Sequence, residues 1–229
     1  MPSPAKAVEL EDAPAKRRVL VVDDHPLFRK GVVQLLTDEP DLEVRAEANT
    51  SNEALGAIRR QRFDLAVVDI GLEGSANGIE LTKSIKAEKP ALPVLVLSMH
   101  DETIFAERAL RAGARGYVMK REALDNFILA VRTVLRGEIF ISQEMSKRMI
   151  FAHLHGGADA VSPVDRLTDR ELEVLQLIGR GREVKDIAQE LHLSAKTVEA
   201  HRAHIKEKLN LSNARAVARF AVQWVDQQR

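Results

Sequence analysis

Four short apolar runs, at 19–22, 65–68, 94–97 and 116–119, are too brief for membrane spans and too continuous for strands with one wet face. They read as strands buried on both sides. A fifth segment alternates Leu42, Val44 and Ala46 between less apolar neighbours, as a half-buried strand does. Helical spacing fills the intervals at 26–36, 78–88, 101–112 and 122–135. The second of the five helices opens at Thr50-Ser51-Asn52-Glu53, a capping box, and runs to about Arg62. Five strands alternating with five helices specify an α/β domain, a doubly wound parallel sheet covered on both faces.

Ligands of such sheets bind beyond the carboxyl ends of the strands. The residues there are Asp23 and Asp24 after the first run, Asp69 after the third strand, Ser98 after the fourth and Lys120 after the fifth. Each has an ordinary explanation taken alone, as a helix cap or a solvated charge. Their coincidence on one rim does not. Three clustered carboxylates repel one another unless a hard divalent cation lies among them, and Mg²⁺ prefers a few carboxylates plus waters. A carboxylate can also accept a phosphoryl group as an acyl phosphate, with a metal and a lysine neutralising its oxygens. Asp69, on the middle strand, is the nucleophile candidate.

The remainder of the chain changes character. Residues 1–16, with three prolines and no hydrophobic period, read as a mobile tail. Residues 139–154 add a short extended piece and a helix, and the small polar stretch before Pro163 reads as a linker. Everything beyond is helical. Thr168-Asp169-Arg170-Glu171 is another capping box, opening a helix that Gly179 and Gly181 close. A short helix at 185–191, a tight connection and a Ser194-capped helix at 195–209 form a helix-turn-helix, and a fourth helix follows at 213–224. The domains are thus a tail at 1–16, a sheet domain at 17–137, a connecting helix and linker at 138–164, and a helical domain at 165–229.

Composition narrows the functions. With no cysteine, disulfide scaffolds, thiolate metal sites and cysteine nucleophiles are excluded together. No apolar run approaches the roughly 20 residues of a membrane helix, and the first 18 residues lack the apolar stretch of a signal peptide, so a cytoplasmic location without membrane contact is expected. Formal charge is balanced overall, but the segment from Asp165 onward has 12 basic against 10 acidic residues. That is a weakly basic C-terminal part.

The motifs Val21-Val22-Asp23-Asp24-His25-Pro26, Val67-Val68-Asp69, Leu97-Ser98 and Gly116-Tyr117-Val118-Met119-Lys120 resemble the receiver domain of two-component response regulators. The resemblance covers about residues 17–137 and implies the flavodoxin-like strand order 2-1-3-4-5. It implies that Asp69 accepts phosphate from a sensor histidine kinase. Mg²⁺ would be held by Asp24 directly, Asp23 through water, Asp69 itself and the backbone carbonyl of Gly71. Ser98 and Lys120 would bind the phosphoryl oxygens, and Tyr117 matches the aromatic switch residue. The segment from Asp69 to Gly78 departs from the family, lacking its usual Met-Pro and carrying one extra residue before the glycine.

Leu167-Thr168-Asp169-Arg170-Glu171-Leu172-Glu173-Val174-Leu175, Ile187-Ala188, Leu193-Ser194 and Thr197-Val198-Glu199-Ala200-His201 resemble the LuxR-type DNA-binding domain. Together the two resemblances point to the NarL/FixJ class. They imply that Glu199, Ala200 and Ala203 approach base edges while Lys185, Lys196, Thr197, Arg202 and Lys206 hold phosphates. His201 and His204 stand one turn apart, but no cysteine or acidic third ligand accompanies them at a recognised zinc spacing, and His201 reads as a packing residue.

The expected protein is a phosphorylation-controlled transcription regulator and no enzyme. Its partners would be a sensor histidine kinase, double-stranded DNA carrying promoter half-sites, and a second copy of the chain when phosphorylated. Two rivals remain at this point. One is a phosphoreceiver that signals through protein contacts without DNA. The other is a Mg²⁺-dependent phosphatase with an aspartyl-phosphate intermediate, disfavoured because Gly71 stands where such enzymes carry a second aspartate.

Overall fold

The structure is a computed structural model that describes residues 15–72, 77–99, 102–154 and 163–227. Residues 1–14 of the expected tail, residues 73–76 of the unusual loop and the linker at 155–162 lie outside the described residues.

The alternating pattern folds as β1 (Arg17–Val22), α1 (Pro26–Thr37), β2 (Leu42–Ala48), α2 (Ser51–Arg60), β3 (Leu65–Asp69), α3 (Gly78–Glu88), β4 (Val94–Ser98), α4 (Glu102–Arg111), β5 (Gly116–Met119) and α5 (Ala123–Leu135). All strands are parallel, in the order β2-β1-β3-β4-β5, so β3 is central and Asp69 ends the middle strand. Side chains alternate between two apolar cores. Val19, Val21, Val67 and Leu97 face Val32 and Leu36 of α1 and Phe127 and Val131 of α5. Leu20, Val22, Val68 and Val96 face α2, α3 and α4 through Ile58, Ile79, Ile85 and Phe105. The edge strand β2 is half-exposed through its middle, which is why its sequence alternates.

Several boundaries differ from the sequence reading for local reasons. Asp69 and Ser98 do not follow their strands but complete them, pairing with Leu97 and Met119, because the backbone ladder ignores side-chain polarity. Lys120–Glu122 is a 3₁₀ turn that delivers the chain from β5 into α5. At α2 the Thr50 oxygen accepts the Glu53 N–H at 3.3 Å, but the Glu53 carboxylate takes the Asn49 N–H at 2.7 Å, one residue before the position a capping box requires. Beyond α5, Phe140 bridges to the outer edge of β5 and α6 (Gln143–Leu154) follows.

The helical domain contains α7 (Asp169–Gly179), α8 (Val184–Glu190), α9 (Ala195–Lys208) and α10 (Ala214–Asp226). Its expected capping box is complete: the Thr168 oxygen accepts the Glu171 N–H and Glu171 accepts the Thr168 N–H. Gly181 closes the helix with a left-handed backbone, φ +77°. Ser194 caps α9 by accepting the Thr197 N–H at 3.0 Å.

The two domains are clasped by polar contacts. Arg108 of α4 donates to the Leu167 carbonyl and the Asp169 carboxylate, both at 2.9 Å, and to the Val164 carbonyl at 2.8 Å. Asn77 donates to Glu173 at 2.9 Å, and Lys83 reaches Asp169 at 3.4 Å. On α7, Asp169, Glu173 and Gln176 recur at i, i+4 and i+7 and are all buried. A polar helix face that would ordinarily be wet lies inside the molecule.

Candidate functional site

The rim of the sheet gathers the expected residues. Asp23, Asp24, Asp69 and His25 each offer a ligand atom within 4.8 Å of the others. Lys120, opening the 3₁₀ turn just after β5, bridges two of the carboxylates, 2.7 Å from Asp69 Oδ2 and 2.8 Å from Asp23 Oδ2. Its ammonium also lies 4.3 Å above the Phe28 ring, a cation–π contact from α1. Asp23 is turned by the His25 N–H, which donates to Oδ1 at 2.8 Å, and His25 Nδ1 lies 2.7 Å from Asp24. The Gly71 N–H bonds the Asp69 carboxylate.

This pocket is electrostatically expensive. Burial pushes the Asp69 carboxyl up to about 6, and the Asp23 charge adds to the rise against the pull of Lys120. The loop geometry that holds Asp69 is equally constrained. Gly78 donates to the Ile70 carbonyl at 2.9 Å, and a Cβ at this position would fall 1.9 Å from the Asp69 carbonyl oxygen, so only glycine fits. The next helix therefore begins directly under the end of β3, with Asn77 as its cap. Ser98, fully buried, ends the neighbouring strand. Tyr117 is likewise buried and lines a cavity of about 320 Å³ with Glu102, Asn126 and Phe140.

On the helical domain the expected reader face is open. Lys196, Glu199, Ala200, Ala203 and Lys206 are exposed along α9, and Lys185 is exposed on α8. Thr197 is half-buried, its hydroxyl 2.8 Å from that of Ser194. Arg202 differs from expectation: it is half-buried and donates to Glu199 at 2.9 Å, so the two residues given separate roles are partners. Its Nε has no hydrogen-bond partner among the described residues. His201 is half-buried, and burial lowers its pKa.

Sequence reasoning missed the residues that tie the two domains together. Asn77, Arg108, Asp169 and Glu173 form the interdomain clasp, and His25 meets His192 of the helix-turn-helix connection edge-on with ring centroids 5.9 Å apart. The signal was present in the polar stripe of α7, but a stripe on a helix reads as a solvated face until the partner surface is known.

A buried aspartate cluster at the central strand end of a 2-1-3-4-5 sheet, followed by a helix-turn-helix domain, defines a two-component response regulator. The chain belongs to that family: residues 19–132 match the response regulator receiver domain and residues 165–221 match the bacterial regulatory proteins of the luxR family. It is a DNA-binding transcriptional regulator of the NarL/FixJ class and not an enzyme. Among its relatives, the oxygen regulatory protein NreC of Staphylococcus haemolyticus is 34% identical over 209 residues, covering 90% of this chain and 96% of NreC. A LuxR-family response regulator from Aurantimonas is similar at 32% identity and a TM-score of 0.57, covering 61% of this chain and 99% of that one. RcsB of Salmonella enterica, solved bound to a promoter with a phosphomimetic, is similar at 25% identity and a TM-score of 0.58, covering 90% of this chain and 98% of RcsB.

Proposed function

We propose that Asp69 accepts a phosphoryl group from a sensor histidine kinase and that this modification governs DNA binding through α9. The observation that carries the reading is the Asp69 carboxylate at the end of the central strand, buried among Asp23 and Asp24 and 2.7 Å from the Lys120 ammonium. Transfer would form a bond from an Asp69 oxygen to phosphorus while the phosphorus–nitrogen bond of the kinase histidine breaks. Lys120 and Ser98 would then bind the phosphoryl oxygens, with Tyr117 following Ser98. Three buried carboxylates with excess negative charge suit a hard divalent cation. Asp23, Asp24, Asp69 and the Gly71 carbonyl would hold Mg²⁺, which supplies positive charge to the transferring group.

The receiver is assigned to 17–137, the connector to 138–164 and the DNA-binding domain to 165–229. Glu199, Ala200 and Ala203 would face base edges, with Lys185, Lys196, Thr197 and Lys206 on phosphates. Arg202 would join them after leaving Glu199. One helix-turn-helix spans few base pairs, so two copies on half-sites about one turn apart are required for tight binding. No helix among the described residues is long and apolar enough to cross a membrane. A cytoplasmic regulator accords with this.

The test joins both domains. A small phosphodonor with Mg²⁺ should add one phosphate at Asp69, raise the dimer fraction in sedimentation and raise affinity for a two-half-site DNA, with Asp69→Asn losing all three. Phosphate mapped to another residue would overturn the acceptor assignment. Tight binding by an unphosphorylated monomer would overturn the coupling.

A further inference from the structure

The spacing of His201 and His204 lacks a third ligand in sequence, and the fold supplies one. Glu171 lies 30 residues earlier, on α7, yet its carboxylate and both imidazoles offer donor atoms within 4.8 Å of one another. His204 Nδ1 is 3.7 Å from Glu171 Oε1. The carboxylate is buried and oriented: Oε2 accepts the Thr168 N–H and the Lys208 ammonium, each near 2.8 Å or closer, leaving Oε1 directed toward the histidines. His204 is 59% exposed, which opens the cluster to solvent on one side.

We propose that Glu171, His201 and His204 form a site for a borderline divalent ion, with Zn²⁺ as the probe, that cross-links α7 to α9. Two imidazoles and one carboxylate with an open fourth position are a recognised zinc set, with bonds of about 2.0–2.2 Å. Donor atoms in such a site stand about 3.3 Å apart, so rotation of the exposed His204 and small adjustments of His201 close the cluster. The backbone donation from Thr168 is the kind of outer bond that fixes a ligating carboxylate. Two imidazoles favour zinc over magnesium, which separates this site chemically from the receiver pocket, where three carboxylates outnumber the single imidazole of His25. Lys208 opposes the ion. Its ammonium sits on the same carboxylate, so occupancy requires it to swing away or share, and the side chain is flexible and partly exposed. The site lies beside the reader face of α9, so the ion would brace that helix against its scaffold.

The test uses the full chain with saturating Mg²⁺ present, titrated with Zn²⁺ by calorimetry and followed by thermal melting. Wild-type protein should bind one Zn²⁺ and melt higher with it, since a ligand held by the folded state alone stabilises that state. His204→Asn should weaken Zn²⁺ at least about tenfold and abolish the melting shift while melting normally in chelator. Lys208→Met should tighten Zn²⁺, a response that a purely structural role for Lys208 would not produce. His25→Asn, altered at the other cluster, should bind Zn²⁺ as wild type does. Equal Zn²⁺ affinity of wild type and His204→Asn, or loss of binding in His25→Asn, would overturn the proposal.

Discussion

Replacing Asp69 by asparagine should stabilise the metal-free protein. In the folded state the carboxyl titrates near 6 rather than at 3.8, chiefly because it is buried. The folded protein therefore holds more protons than the unfolded chain between those values, and stability falls as pH rises through that window. At about 1.4 kcal/mol per pH unit of displacement, ionised Asp69 costs about 3 kcal/mol at pH 7.5. Asparagine keeps the shape without the charge, and Lys120 keeps Asp23 as its partner. Urea melts of both proteins in chelator, followed by circular dichroism, should show Asp69→Asn more stable by up to about 3 kcal/mol at pH 7.5. The gap should shrink to about 1 kcal/mol at pH 4.5, where the folded wild type is already protonated. Mg²⁺ at one hundred times its Kd adds about 2.7 kcal/mol to the protein that binds it and should nearly close the gap at pH 7.5. Asp69→Asn no more stable than wild type in chelator at pH 7.5 would refute burial as the dominant force on this carboxyl.

Other outcomes follow from single contacts. Arg108→Ala removes two hydrogen bonds to the helical domain and one to the linker carbonyl of Val164, and leaves buried Asp169 with the 3.4 Å contact to Lys83, so the domains should separate, read as a larger radius of gyration in X-ray scattering; an unchanged radius would discount the clasp. Gly78→Ala places a methyl 1.9 Å from the Asp69 carbonyl and should cost about 3 kcal/mol or more in urea melts, together with slower phosphorylation. Lys196→Ala and Lys206→Ala should each weaken binding to all DNA sequences and reduce the salt slope by about one. Glu199→Ala frees Arg202 and should instead raise general affinity and steepen the slope while changing base preference.

Much of this protein is written in local patterns. The apolar runs of the receiver had to become buried parallel strands because their length and continuity left no other arrangement, and that alone brought Asp23, Asp69 and Lys120 to one rim. The Thr168 and Ser194 caps located α7 and α9 because capping is satisfied within four residues. What depended on tertiary structure was the fate of polar groups whose partners lie far along the chain. Nothing local marks Asp169, Glu173 and Gln176 for burial, yet they are buried, since Asn77 and Arg108 come to meet two of them from the receiver. Two histidines one turn apart carried no meaning until α7 packed on α9 and set a carboxylate beside them. Local sequence determines a backbone's own hydrogen bonds, because those form within a turn or along a repeating ladder. Which charges face one another depends on how completed elements dock, and that is decided by the whole core at once.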